Sequence, residues 1–159
     1  MSMEETPITK DGKDKIEEEL NHLIKVERES LKVQIAEARD LGDLKENAEY
    51  HSAKEKQAIV EGRIAQLQGI LARARVIEVS KIKSQKIVFG ATVTLRDLEK
   101  DAVQTFQIVG EDEADSKLQK ISFTSPLGKA LIGKESGDSV IVKAPKGDIE
   151  YEVENFEFI

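Results

Sequence analysis

No cysteine occurs among the 159 residues, so neither disulfides nor thiolate metal sites are possible, and a reducing compartment, the cytoplasm, is the expected location. Tryptophan is absent too, and aromatics make up only 4%, too few to suggest an aromatic-lined ligand pocket. No run of ~18 or more apolar residues is present, and the segment MSMEETPITKDG lacks the apolar core of a signal peptide. A chain with no place in a membrane is therefore expected. Positive charge is not in excess either: the net charge is -7, with both halves acidic, which disfavours a free-standing nucleic-acid binder. What the chain does have is charge of both signs, 35% of all residues, against a hydrophobic content of 39% that is somewhat low for one compact core. A large solvated surface follows.

The first third shows helical periodicity. From residue 9 to about 41 there is no proline and only an early Gly12, while Ile16, Leu20, Leu23, Ile24, Leu31, Ile35 and Ala38 recur at three- and four-residue steps. This predicts one long amphipathic helix, its seam interrupted by Glu27 and out of phase near Leu31. From Ala53 a heptad seam runs through Gln57, Val60, Ile64, Leu67, Leu71 and Ala74, predicting a second helix from about 44 to 75. Two helices of similar length separated only by the stretch around Gly42 and Asp43 fold most economically as an antiparallel hairpin, roughly 45 Å long at the usual helical rise.

After Val76 the period changes to two. Segments 91–95, 103–109, 119–123, 139–142 and 149–158 read as strands, with Ala144, Pro145, Lys146, Gly147 and Asp148 turning between the last two. Ser125 and Pro126 followed by an apolar stretch and Gly133 have the form of a short helix with an N-cap, a first-position proline and a glycine stop. The expected fold class is α+β: an antiparallel coiled-coil hairpin over residues 1–76 and a small antiparallel β-rich domain over 77–159, joined by a polar connection containing Lys81, Lys83 and Lys86.

The sequence between the helices, GDLKENAEY, admits two readings of the same carboxylates. Asp43 followed three residues later by Glu46 has the form of a capping box, with Gly42 supplying the left-handed stop of the first helix. The same two acids at a helix start can instead converge on one divalent cation. Magnesium takes one or two protein carboxylates and fills its remaining positions with water and phosphate oxygens, so such a pair completes a metal site without forming one alone. A site at the end of a helical hairpin is poorly placed to build a pocket and well placed to enter one.

The stretch IAEARDLGDLKENAEYHSAKEKQAIVEG, with VFGATVTL, EDEAD and SPLGKALIGK further on, resembles the Gre family of bacterial transcript cleavage factors over essentially the whole chain. The acidic balance favours the GreA type over the GreB type. The resemblance implies that the coiled coil enters the secondary channel of RNA polymerase. There Asp43 and Glu46 help hold a magnesium ion jointly with the polymerase and position the attacking water, so that the polymerase cleaves its own backtracked RNA. It implies an FKBP-like fold for residues 77–159, which docks at the channel rim, with Ser125 and Pro126 in a polymerase-contacting loop. Arg39, Lys45 and Lys54 become candidates for contacting the nascent RNA; Lys54 stands where relatives carry arginine, which removes bidentate phosphate contact there. The partners implied are bacterial RNA polymerase and backtracked RNA, with no small-molecule substrate and no nuclease activity of the chain alone.

Other residues have simpler uses. His22 and His51 have no second histidine at ligand spacing and read as solvated helix positions. Tyr50 packs at the hairpin end, and Asp112, Glu113 and Asp115 read as turn acidity. Prolyl isomerase activity, which an FKBP-like fold suggests, is set aside for want of aromatics. Two other function classes fit the architecture: a polymerase-binding regulator that blocks the channel without cleavage, and a coiled-coil adaptor for some other partner. Relatives of the blocking kind depart from the Asp-x-x-Glu tip, which this chain retains.

Overall fold

The computed structural model describes residues 4–159. Packing divides the chain into two units of an α+β protein: Lys13–Ala74, and Arg75–Ile159 together with residues up to Gly12. The change of unit at Ala74 lies beside the boundary read from the sequence, but the N-terminal residues pack with the second unit. Their reason is a pair of short strands, β1 (Thr6–Thr9) and β2 (Ala74–Ile77), that form a two-stranded sheet.

The helical unit is a hairpin. Its first arm comprises α1 (Lys10–His22), a π-helical turn over Leu23–Glu27 and α2 (Arg28–Asp40); its second arm is α3 (Ala48–Arg73). The wide turn falls where the apolar seam slips at Glu27. One extra residue per turn absorbs the slip, so that Ile16 before it and Leu31, Ile35 and Ala38 after it are all buried. Across from them α3 buries Ala53, Ile64, Leu67 and Ile70, with Leu67 fully enclosed. Two bidentate pairs clasp the arms on the outside. Arg28 Nε donates to Glu61 Oε2 and Nη2 approaches Oε1, both at 2.9 Å, while Arg63 Nε and Nη2 donate to the two oxygens of Glu19 at 2.8 and 2.9 Å. The Arg63 hydrogen bond holds the Glu19 carboxyl below its ordinary range. Both pairs are largely exposed, so their worth is modest, and the apolar seam carries the hairpin.

The second unit is built on a five-stranded sheet in the order β5-β4-β3-β7-β6, from β3 (Thr92–Asp97), β4 (Ala102–Val109), β5 (Lys120–Ser122), β6 (Ser139–Ala144) and β7 (Gly147–Glu157). It is antiparallel except for β4 and β5, which run parallel because two short 3-10 turns between them carry the chain back to the level of Gln107. In β3 the period of two is complete: Val93, Leu95 and Asp97 point inward, Thr92, Thr94 and Arg96 outward. The core joins Val93, Leu95, Ile108, Val140, Tyr151 and Val153 to Leu131 of α4 (Pro126–Leu131). Asp97, buried at the end of β3, is satisfied locally, its Oδ1 accepting the amides of Glu99 and Lys100 at 3.0 and 3.1 Å and so turning the chain into β4. Burial, and secondarily the charge of Asp97, raise the Tyr151 phenol above its ordinary pKa.

Glu113, read from the sequence as turn acidity, ties β1 to this sheet. Its carboxylate accepts the backbone amides of Thr9 and Gly110 at 3.0 and 2.9 Å and a short bond from the Thr9 hydroxyl, which in turn caps the start of α1 by accepting the amide of Gly12. A side chain at Gly12 would begin 2.0 Å from Glu113 Oε1 and would push the carboxylate out of these bonds. Among the described residues no helix is long and apolar enough to cross a membrane.

Candidate functional site

Residues 41–47 join the two arms of the hairpin, and their course follows from competition for the cap of α3. The first arm stops at Asp40; the amides of Leu41 and Gly42 bond back to Ala38 and Arg39, and Gly42 takes φ +116°, a value glycine adopts without strain. The second arm starts later than the apparent capping box predicts. Asp43 and Glu46 do not form that box: α3 begins at Ala48, and its N-cap is Asn47, whose Oδ1 accepts the amide of Tyr50 at 3.0 Å. Asparagine wins because it is bifunctional. Its Nδ2 also donates to the carbonyl of Ala38 in the last turn of α2, an acceptor it shares with the amide of Leu41, so a single side chain ties the two helix ends together. An aspartate at the cap could accept but not donate.

Residues 43–46 are thereby released from helical duty and stand in an exposed loop. Asp43 Oδ1 accepts the amide of Lys45 at 3.0 Å, which turns the loop and leaves Oδ2 without a hydrogen bond among the described residues. The Glu46 carboxylate makes no hydrogen bond or ion pair among them. Both acids are oxygen donors of the kind that hard divalent cations take. Among the described residues no group of three or more His, Cys, Asp or Glu side chains could hold a metal ion.

Of the basic candidates, Arg39 lies at the end of α2 with its guanidinium carbon 5.9 Å from the centre of the Tyr50 ring. Lys45 is exposed between the two acids, and Lys54 is exposed nearly two turns along α3, where its ammonium donates to Gln57 at 3.0 Å. Tyr50 also meets the His51 ring edge-on, the centroids 5.6 Å apart. His51 reaches back to the carbonyl of Lys45, its Nε2 at 3.1 Å, a contact no spacing argument reveals because it joins the helix to irregular backbone. His22 lies well along the first arm, 3.3 Å from Glu27.

Ser125 and Pro126 lie in the other unit. Ser125 caps α4, its hydroxyl accepting the amide of Gly128 at 3.0 Å and donating to the carbonyl of Ser122 at 2.6 Å, and Pro126 holds the first helical position, exposed.

Comparison with known proteins covers both units. Residues 6–76 match the family described as "Transcription elongation factor, N-terminal", and residues 82–158 match "Transcription elongation factor, GreA/GreB, C-term". The chain is 56% identical over 151 residues to the transcription elongation factor GreA of Hyphomonas neptunium, covering 95% of this chain and 96% of that one. Against the GreA of Thermodesulfovibrio yellowstonii the identity is 53% over 152 residues, 96% of each chain. A crystal structure of GreA factor homolog 1 of Thermus thermophilus aligns over 96% of this chain and 99% of its own, at 28% identity and a TM-score of 0.44.

Proposed function

Since the chain belongs to the GreA/GreB family of transcription elongation factors, we propose that it stimulates the cleavage of backtracked RNA by RNA polymerase, lending Asp43 and Glu46 to the polymerase site. The observation that carries this reading is that both acids stand on the exposed loop between the hairpin arms, with Asp43 Oδ2 and the whole Glu46 carboxylate unengaged among the described residues. Acids that served only to cap α3 would be held by its first amides, and that work is done by Asn47.

In this reading the hairpin enters the secondary channel and the C-terminal unit docks on the polymerase, with Ser125 and Pro126 at the contact. Asp43 and Glu46 would hold a magnesium ion jointly with acids of the polymerase and oxygens of the RNA. Bound there, such an ion lowers the pKa of water and stabilises charge on a phosphoryl oxygen. The pair would also supply a carboxylate to orient the water or accept its proton. Arg39, Lys45 and Lys54 offer positive charge to the extruded RNA backbone. The chain by itself has too few ligands to retain the ion and acts as a factor that activates the polymerase, in the cytoplasm.

The test is to add the purified protein and magnesium to a backtracked elongation complex carrying end-labelled RNA. Shortened transcript is expected, together with co-migration of the protein with core polymerase on a sizing column. Co-migration with no shortening would replace this reading by that of a channel blocker, and failure to co-migrate would leave only an adaptor for another partner.

A further inference from the structure

Lys45 sits between the two acids, and both of its peptide groups are held. Its amide donates to Asp43 Oδ1 at 3.0 Å, and its carbonyl lies 3.1 Å from Nε2 of His51, in the first turn of α3. A carbonyl only accepts, so the proton of this bond belongs to the imidazole, on Nε2. The ring is itself supported: Tyr50 meets it edge-on, and the guanidinium carbon of Arg39, from the last turn of α2, lies 5.9 Å from the centre of the Tyr50 ring. A run of contacts thus leads from α2 through Tyr50 and His51 to the peptide that precedes Glu46. With Asn47 fixing the residue after it, Glu46 has its backbone anchored on both sides while its carboxylate stays unengaged among the described residues.

We propose that His51 is a positioning residue, one that holds the acid-bearing loop in the shape in which Asp43 and Glu46 act together. This rests on the reading of the two acids as the active groups. The alternative for His51, a solvated helix position, predicts no effect on the loop. A loop of exposed polar residues otherwise samples many backbone states, and pre-setting one of them removes that ordering cost when the acids engage.

The experiment compares the full-length parent with His51→Leu, which keeps bulk and removes the donor, and His51→Gln, whose amide nitrogen occupies about the place of Nε2. In the free protein, nitrogen-15 relaxation of the Lys45 and Glu46 amides reads the loop directly. His51→Leu is expected to raise their mobility, and in the backtracked complex to lower cleavage at saturating factor by about 3- to 10-fold, the equivalent of one hydrogen bond. The factor concentration giving half-maximal cleavage should not change. His51→Gln should restore both quantities. Parental relaxation and cleavage in His51→Leu, or a His51→Gln variant as impaired as His51→Leu, would overturn the assignment. An Asp43→Asn control separates the two levels: if it cleaves like the parent, the reading of the acids fails, while the relaxation data still judge the role of His51 in the loop.

Discussion

Asp43→Asn and Glu46→Gln are each expected to slow transcript cleavage by roughly 100-fold or more, since even lost outer-sphere partners of a metal site cost up to about that factor. Polymerase binding should stay near the parental level, because each change removes one charge from an exposed loop and no packing. Folding stability should change by no more than about 0.5 kcal/mol, as for surface substitutions generally. The reason is specific to this tip: Asn47 supplies the cap of α3, and an asparagine at 43 still offers Oδ1 to the Lys45 amide. A loss of cleavage matched by a comparable loss of stability or of binding would mean that the acids act structurally. Cleavage at the parental rate in both variants would remove them from the mechanism altogether.

Leu95→Ala should destabilise the C-terminal unit by about 2–5 kcal/mol, the range for deleting a fully enclosed leucine. Leu95 is completely buried in the middle of β3, flanked by β4 and β7 and facing the side of the sheet where Ile108, Leu131 and Val153 are also enclosed. A cavity there cannot be closed without moving strands that are hydrogen-bonded on both sides. By contrast Ile59→Ala on α3, where the side chain is 72% exposed, should be within about 0.5 kcal/mol of the parent. Urea unfolding followed by circular dichroism measures both. A loss below about 1 kcal/mol for Leu95→Ala would mean that the sheet core is not packed as described.

The hairpin was legible because long helices repeat their signal. Seven apolar residues in the first arm and a heptad seam in the second define two faces, and even the π turn at Leu23–Glu27 shows in the sequence as the slip at Glu27. The central strands were legible for the same reason, Val93 and Leu95 alternating with threonines. What escaped was short or non-local. β1 and β2 have four residues each, too few for a period to show, and they pair across most of the hairpin's length of sequence. The strand expected over 119–123 is present as β5, but its parallel direction depends on turns that periodicity does not describe.

At the tip the acids could be read from the sequence, but the cap was assigned to the wrong residue. Asp43 and Asn47 both favour a helix start, and spacing rewards Asp43 because Glu46 completes a box. The deciding term is tertiary: only Asn47 also reaches the carbonyl of Ala38 on the other arm. That preference separates the acids from the helix and leaves them available for chemistry. The same holds for Glu113, whose neighbours in sequence make it look like turn acidity while its partners, Thr9 and the amide of Gly110, include a residue from the far end of the chain.

The central claim is that the chain donates carboxylates to a metal it does not retain by itself. It is tested most directly by titrating magnesium into three samples of labelled RNA: RNA with the factor alone, the backtracked elongation complex alone, and the complex with the factor. The account predicts no hydrolysis in the first at any magnesium concentration and slow hydrolysis in the second. In the third, hydrolysis should be fast and half-maximal at a lower magnesium concentration, a shift that Asp43→Asn abolishes. Hydrolysis of RNA by the factor alone, lost in Asp43→Asn, would contradict it and show a self-contained nuclease.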